Sequence, residues 1–500
     1  MLPDLAGLRG GAAILPELVL TGTVFAVLVL DLALRRSARR GRVLLLVTCL
    51  GLAAAATAIA GVSAGAQPLF YGMLVADGFA LFVKGVVIAA AVVGAILAAL
   101  SPEIRRDQLG EYLILLVCLT LGMCLLAGAR NLLMLYLALE LVSLPSYILA
   151  GFRHGDRRSS EAALKYVVFG AAASGLMLFG FSLLYGLAGT LDLPGIGAAV
   201  VARGLQGGLD AQLLVVVAVL LSLAGFAYKV AAVPFHMWCP DVYEGAPTPF
   251  VAFLSVAPKA AGFAALLRFF LSGFGAPLGF PAPGEFPWPF VLGVLAMATM
   301  TVGNLAAITQ DNVKRLLAYS SIAHAGYLLM AVAVGSPLAI RGVLLYLPIY
   351  LLMNMGAFLV VMAVHDATGS ETVDGFRGLG ARAPYLAVVM AVFLFSLTGI
   401  PPLAGFIGKF FLFAAALQTK SMFFYAVAVV GVVNSVISLY YYARIVRACF
   451  LEKPADAQAP VRVGSPAAAL LGALAVPTLV LGIWWGPLLG VVEKALLLPR

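Results

Sequence analysis

Apolar runs of about twenty residues recur from one end of the chain to the other, separated by short polar loops. That is the length an α-helix needs to cross a ~30 Å hydrocarbon core. About fourteen spans can be drawn, at 14–34, 43–62, 75–99, 112–128, 131–151, 164–188, 212–235, 249–271, 289–309, 315–334, 341–365, 385–417, 421–445 and 466–488. The pattern predicts an all-α polytopic membrane protein, since helices satisfy their backbone groups internally where water is absent. No long polar stretch separates soluble units. The longest loops fall near 189–211, 272–288, 366–384 and 452–465 and are rich in Gly, Pro or Ala. Residues 1–500 are therefore read as one membrane domain.

Composition agrees. Apolar residues make up 63% of the 500 and charged residues 11%, against roughly 25% charged in soluble proteins. Too few charges remain to cover a water-facing surface, which excludes disordered, secreted disulfide-rich and nucleic-acid-binding classes. The net charge of +9 sits mostly in loops. Of the 31 Lys and Arg, 18 fall in the set of alternate loops that contains Arg35 to Arg42, 7 in the opposite set, and 6 within spans. The positive-inside bias then places both termini on the non-cytoplasmic side. The first apolar run lacks a basic leader and reads as a retained span. The five cysteines are scattered, with no CxxC pair, and read as packing residues.

Charge inside a span needs a reason. Each such group costs roughly 2.5–3.5 kcal/mol at the bilayer centre, and those that persist usually line a hydrated path or pair with each other. The in-span set includes Lys84, Glu140, Lys165, Lys229, Lys259 and Lys409. Glu140 lies deep within Leu132 to Leu141, too far from water to snorkel. Lys165 is one turn from a span end and can snorkel or pair with Glu161 at i,i+4. Asp77 and Lys84 share one helical face and read as a structural seam. Arg268, near a span end, reads as an interfacial anchor.

Two spans carry proline beside a lysine, in Lys229-Val-Ala-Ala-Val-Pro234 and in Ile400-Pro401-Pro402 ahead of Lys409. Proline removes a backbone donor and clashes with the preceding turn, so a break is expected in each. Paired broken helices at membrane depth point to a transport site, and two unrelated proline kinks are the plainer alternative. His324 shares a face with Ser320 and Ser321, and is either a satisfied hydrogen-bonder or a proton relay. The four histidines, His236 among them, show no metal-ligand spacing with acidic partners.

Longer segments resemble a known family. Pro234-Phe-His-Met-Trp-Cys-Pro-Asp-Val-Tyr-Glu-Gly-Ala-Pro-Thr-Pro249, Gly303 to Tyr327 and Leu397 to Lys409 are similar to signatures of the antiporter-like membrane subunits of respiratory complex I. The wording Asp241 to Pro247 resembles the subunit N branch, and the absence of a long C-terminal lateral helix argues against subunit L. The resemblance implies two inverted five-helix repeats, spans 4–8 (112–271) and 9–13 (289–449), with helices 7 and 12 broken. An N-terminal three-helix segment (1–111) precedes them and a C-terminal helix (450–500) follows. It implies proton translocation through Glu140, Lys229, Lys259, His324 and Lys409, with Lys165 a matching position of less defined role. It also implies no cofactor in this chain. FMN, iron–sulfur clusters and quinone belong to partner subunits. The implied partners are sister antiporter-like subunits, small membrane subunits, the lateral helix of subunit L and the lipid bilayer, with no nucleic acid.

Physics suits those residues to that work. Moving a proton against roughly 200 mV requires about 4.6 kcal/mol, a swing of roughly 3 units in proton affinity at a carrier site. A buried amine whose carboxylate neighbour approaches and leaves can supply such a swing. Glu140 is expected to switch Lys229 in this way, with the proton passing by Lys259 and His324 to Lys409. The competing reading is a Na⁺/H⁺ or K⁺/H⁺ antiporter subunit, or a related membrane hydrogenase.

Overall fold

The computed structural model describes residues 13–62, 68–200, 202, 208–275, 287–453 and 461–496. Parts of the predicted loops near 63–67, 189–211, 272–288 and 452–465 lie outside that set, as do Arg9, Arg203 and Arg500. Thirteen helices among the described residues are long and apolar enough to cross a membrane. Two shorter ones, Pro384–Thr398 and Ala404–Gln418, stand where the twelfth span is predicted.

In chain order the spans begin with α1 (Leu15–Ala33), α2 (Arg40–Ala60), α3 (Gly78–Leu100), α4 (Leu109–Gly128), α5 (Leu132–Ala150) and α6 (Arg157–Ala188). The short α7 (Leu193–Ala199) leads to α8 (Leu209–Val230), which stops within the predicted seventh span. Its continuation, α9 (Trp238–Gly245), follows the proline segment. The eighth span is α10 (Thr248–Leu254) and α11 (Ala257–Gly273), an interruption the hydropathy pattern does not predict. Then come α12 (Trp288–Ile308), α13 (Val313–Val334), α14 (Pro337–Thr368) and the short α15 (Leu379–Arg382). The half-helices α16 (Pro384–Thr398) and α17 (Ala404–Gln418), α18 (Met422–Leu451), α19 (Ser465–Ile483) and α20 (Gly486–Ala495) complete the order. A two-stranded hairpin, Pro68–Leu69 against Leu74–Val75, lies ahead of α3.

Local chemistry sets many helix ends. Asp77, Asp156, Asn312 and Ser336 cap α3, α6, α13 and α14 by accepting a backbone N–H of the first turn. Where α6, α13 and α14 stop, Gly189, Gly335 and Gly369 adopt the left-handed conformation that glycine takes without penalty. α10–α11, α13 and α14 form the centre, each with its apolar window almost wholly buried, whereas α2, α18 and α19 bury about a third or less. The central helices are the ones that carry Lys259 and His324. The last turn of α20 packs at the start of α3, where Lys494 and Ala495 lie against Gly78. Glu17 in the first turn of α1 reaches Lys84 of α3 there.

Two expectations change here. Asp77 and Lys84 share a face of α3 but do not pair with each other. Lys84 binds Glu17 at 2.6 Å, and Asp77 binds Arg268 at 2.6 Å. Arg268 is accordingly no interfacial anchor. It is 5% exposed, donates to the Ala127 carbonyl at 2.6 Å, and ties α11 to α3 and α4. Removing one partner of a buried pair strands the other charge, at a cost of about 3–5 kcal/mol. Arg268→Ala is therefore expected to lower the amount of folded protein in the membrane sharply. Arg268→Ala paired with Asp77→Ala should recover part of it, as read by immunoblot of washed membranes, and a single mutant at normal level would refute the pairing.

Candidate functional site

The two proline breaks place lysines at carbonyl ends of half-helices. Lys229 lies in the last turn of α8, just before Ala231 turns left-handed and ends the helix. Lys409 sits in α17 but reaches back across its break, donating to the Thr398 carbonyl at the end of α16 at 2.8 Å. Carbonyl ends carry the negative pole of the helix dipole and stabilise a nearby cation. Gly399, left-handed at φ +91°, leaves room for this. A Cβ there would approach the Lys409 Cδ to 3.0 Å. Both lysines are buried, at 2% and 4% exposed.

Glu140 and Lys229 do not touch. The Ser174 hydroxyl donates to Glu140 at 2.5 Å, and Lys229 Nζ donates to the Ser143 hydroxyl at 3.1 Å. Ser143 stands one turn beyond Glu140 on α5, so it connects the acid's helix to the lysine. The Lys229 stem then crosses α11 at Gly262, where a Cβ would meet Lys229 Cγ at 3.4 Å. Lys259 is one turn back along α11. Its ammonium donates to the Ser321 carbonyl at 2.9 Å and to the Ser321 hydroxyl.

Ser321 begins the second half of the line. One turn on along α13, His324 bonds through Nδ1 to the Tyr346 hydroxyl, and through Nε2 to the Tyr442 hydroxyl at 3.3 Å. The hydroxyl face expected around His324 thus serves other groups. Ser321 holds Lys259, and Ser320 bonds to Tyr442. One further turn along, Tyr327 packs edge-on to His324, with ring centroids 5.7 Å apart. Lys409 caps the line with its Nζ 4.5 Å from the Tyr327 ring centre, and donates to Ser435 at 3.2 Å. A row of polar groups therefore runs from half-buried Glu140 to Lys409, which lines a crevice of about 870 Å³ open at the surface of α17 and α18.

Lys165 joins a different cluster. It binds Glu161, as its i,i+4 spacing anticipates, and also Asp241, each at 2.7 Å. Arg315 binds Asp241 at 2.6 Å and Glu244 at 3.0 Å. These groups gather where α6, α9 and α13 meet, at 29–62% exposure. The turn between α9 and α10 is clasped from two sides nearby. Arg153 donates to the Gly245 carbonyl at 3.1 Å, Lys314 to the Ala246 carbonyl at 3.0 Å, and the Thr248 N–H to Glu103 at 2.5 Å. Glu103 binds Arg153 and Glu371 binds Lys314, both at 3.1 Å. Burial by itself raises the Glu371 carboxyl, but Lys314 and Asn312 outweigh it and hold the group below the ordinary carboxylate value. Glu103, His365 and Glu371 are close enough together to hold a metal ion. Their carboxylates already serve Arg153, Thr248, Lys314 and Asn312, so the donor set fits an ion-pair clasp and not a metal centre.

Sequence reasoning missed Ser143, Ser174, Tyr346, Tyr442, Tyr327 and Ser435. Ser143 carried a signal, being one turn from a buried acid. The tyrosines of α14 and α18 carried none, because nothing local marks a hydroxyl aimed at a histidine on another helix.

Comparison with known proteins places the chain in a family. Residues 129–438 match the family described as NADH:quinone oxidoreductase/Mrp antiporter, TM. The chain is 48% identical, over 99% of its length and 98% of the relative's, to NADH-quinone oxidoreductase subunit N of Anaeromyxobacter sp. (strain Fw109-5). Among solved structures it resembles a chain of respiratory complex I from Thermus thermophilus with bound aureothin, at 34% identity and TM-score 0.77, covering 96% of this chain and 99% of that one. A chain of the Mrp complex from Dietzia sp. DQ12-45-1b matches at 25% identity and TM-score 0.82, covering 97% of each.

Proposed function

The chain belongs to the NADH:quinone oxidoreductase/Mrp antiporter family of membrane proteins, and on that premise we propose that it carries protons across the membrane as a non-redox subunit of an NADH-quinone oxidoreductase. The observation that carries this is the row that runs from half-buried Glu140 through the buried pairs Ser143–Lys229 and Lys259–Ser321 to His324, Tyr327 and Lys409, laid across interrupted helices. Nearly full-length identity of 48% to a subunit N, against 25% to the Mrp chain, favours this over the antiporter reading.

In the proposed path Glu140 sets the charge state of Lys229 through the shared face of α5. A proton released by Lys229 moves by way of Lys259 and His324 to Lys409, from which it is released. Lys165 tunes the exposed end of α9 through Asp241 and takes no part in the buried row. Residues 112–271 and 289–449 act as two inverted repeats, a reading supported by a half-helix break in each. This chain binds no redox group. FMN, iron–sulfur clusters and quinone are assigned to partner subunits, and the sister antiporter-like subunits, small membrane subunits and a lateral helix of subunit L are its neighbours in a bacterial inner membrane. Co-purification with a flavin- and iron–sulfur-containing NADH dehydrogenase tests the assignment, and purification with other antiporter subunits alone would reverse it.

Both termini face away from the cytoplasm in this reading, and the Arg35 to Arg42 loop faces it. A cysteine at Ser37 and one at Met422, both exposed, are expected to label from opposite sides with an impermeant maleimide. Labelling of Ser37→Cys from outside intact cells would invert the topology.

A further inference from the structure

α16, α17 and α18 leave an apolar groove between them. Two crevices, of about 870 and 690 Å³, share Val436 and Leu439 and so run into one another along α18. One reaches Lys409, and the other passes Phe395 and Phe450 to end at Arg444 and Arg447. Every charged side chain in the two linings is a cation. At 1.5 Å per residue, Arg444 and Arg447 lie about 33 and 38 Å along α18 from Met422. Their guanidiniums therefore sit at headgroup level, with the apolar stretch of the groove inside the ~30 Å hydrocarbon core.

We propose that this groove binds one anionic phospholipid from the bilayer, its phosphate on Arg447 and an acyl chain along Leu439 and Val436 toward Lys409. Arg447 gives only its Nε to Glu452, at 2.9 Å, and its terminal nitrogens form the fork that matches a phosphate. Arg444 is already engaged, holding the Ile308 and Gln310 carbonyls where α12 ends and pairing with Asp311 at 3.5 Å, so the phosphate contact falls to Arg447. Cationic charge at one end and hydrocarbon along the rest is the complement of a phospholipid, and basic pockets between spanning helices are known to take anionic headgroups. A bound chain would also close the crevice beside Lys409. That consequence rests on the proposed proton path, whereas the binding does not.

The test uses the intact complex reconstituted into vesicles that carry phosphatidylglycerol or phosphatidylcholine with a photoreactive acyl chain. Adducts on residues 436–451 are mapped by peptide mass spectrometry. Phosphatidylglycerol should label this segment in preference to phosphatidylcholine, and Arg447→Gln should cut that preference about fivefold, the worth of one interfacial arginine. Val436→Trp, which fills the groove from an exposed position, should remove adducts of both lipids. Equal labelling by the two lipids in the unaltered complex would overturn the proposal. So would the absence of lipid adducts with cross-links to a neighbouring polypeptide in their place. Neither result bears on Lys229, so failure here is distinguishable from failure of the proton path.

Discussion

Lys229→Ala is expected to lower proton pumping and coupled NADH:quinone turnover by about tenfold or more, within the range lost when a positioned proton-transfer group is removed. The fold should survive. A buried ammonium costs energy to hold in the membrane, and its hydrogen-bond acceptor, Ser143, still donates to the Leu139 carbonyl at 2.7 Å when the lysine is gone. The lysine stem lies against Gly262, so alanine leaves a small void and no clash. Assembly is checked by NADH oxidation with an artificial acceptor that takes electrons upstream of quinone. Pumping is then read by dye quenching in inverted vesicles. Normal pumping in a normally assembled Lys229→Ala complex would take this lysine out of the path.

The second large effect concerns coupling between Glu140 and Lys229. Each bonds to a different serine, and Ser143 carries the connection along α5. If the acid governs the lysine, then Glu140→Gln and Lys229→Ala act on one step. The double mutant should be no worse than the more damaged single mutant, where independent sites would multiply their losses. Ser143→Ala keeps both charges but cuts the hydrogen bond between the two helices. It should slow pumping less than either charge mutant and lose its effect when Lys229 is already alanine. A clean product of the single-mutant losses would leave Glu140 as a partner of Ser174 only.

Much of this molecule is written in local sequence. Crossing a membrane takes about twenty apolar residues whatever surrounds them, so the spans follow from hydropathy alone. Proline breaks a helix through its own ring, so the interruptions before Trp238 and Ala404 are legible as well. The break at Ser255–Val256 had a signal that went unread: Pro258 is acceptable in the first turn of a helix but not in the middle of one. Charges as expensive as Glu140, Lys229, Lys259 and Lys409 announce themselves by depth.

Which partner each charge finds was decided only by the tertiary structure. Lys259 meets Ser321 from 62 residues away, and His324 meets Tyr442 from 118 residues away. Arg268 looks like an interfacial anchor until α3 brings Asp77 against it, 191 residues distant in the chain. Lys165 and Lys229 are equally lysines within spans, yet one ends among exposed acids and the other beside a buried serine. The cost of burying a charge is a property of one residue and its span. The bond that offsets it belongs to helix packing, where residues far apart in the chain are brought within hydrogen-bond distance.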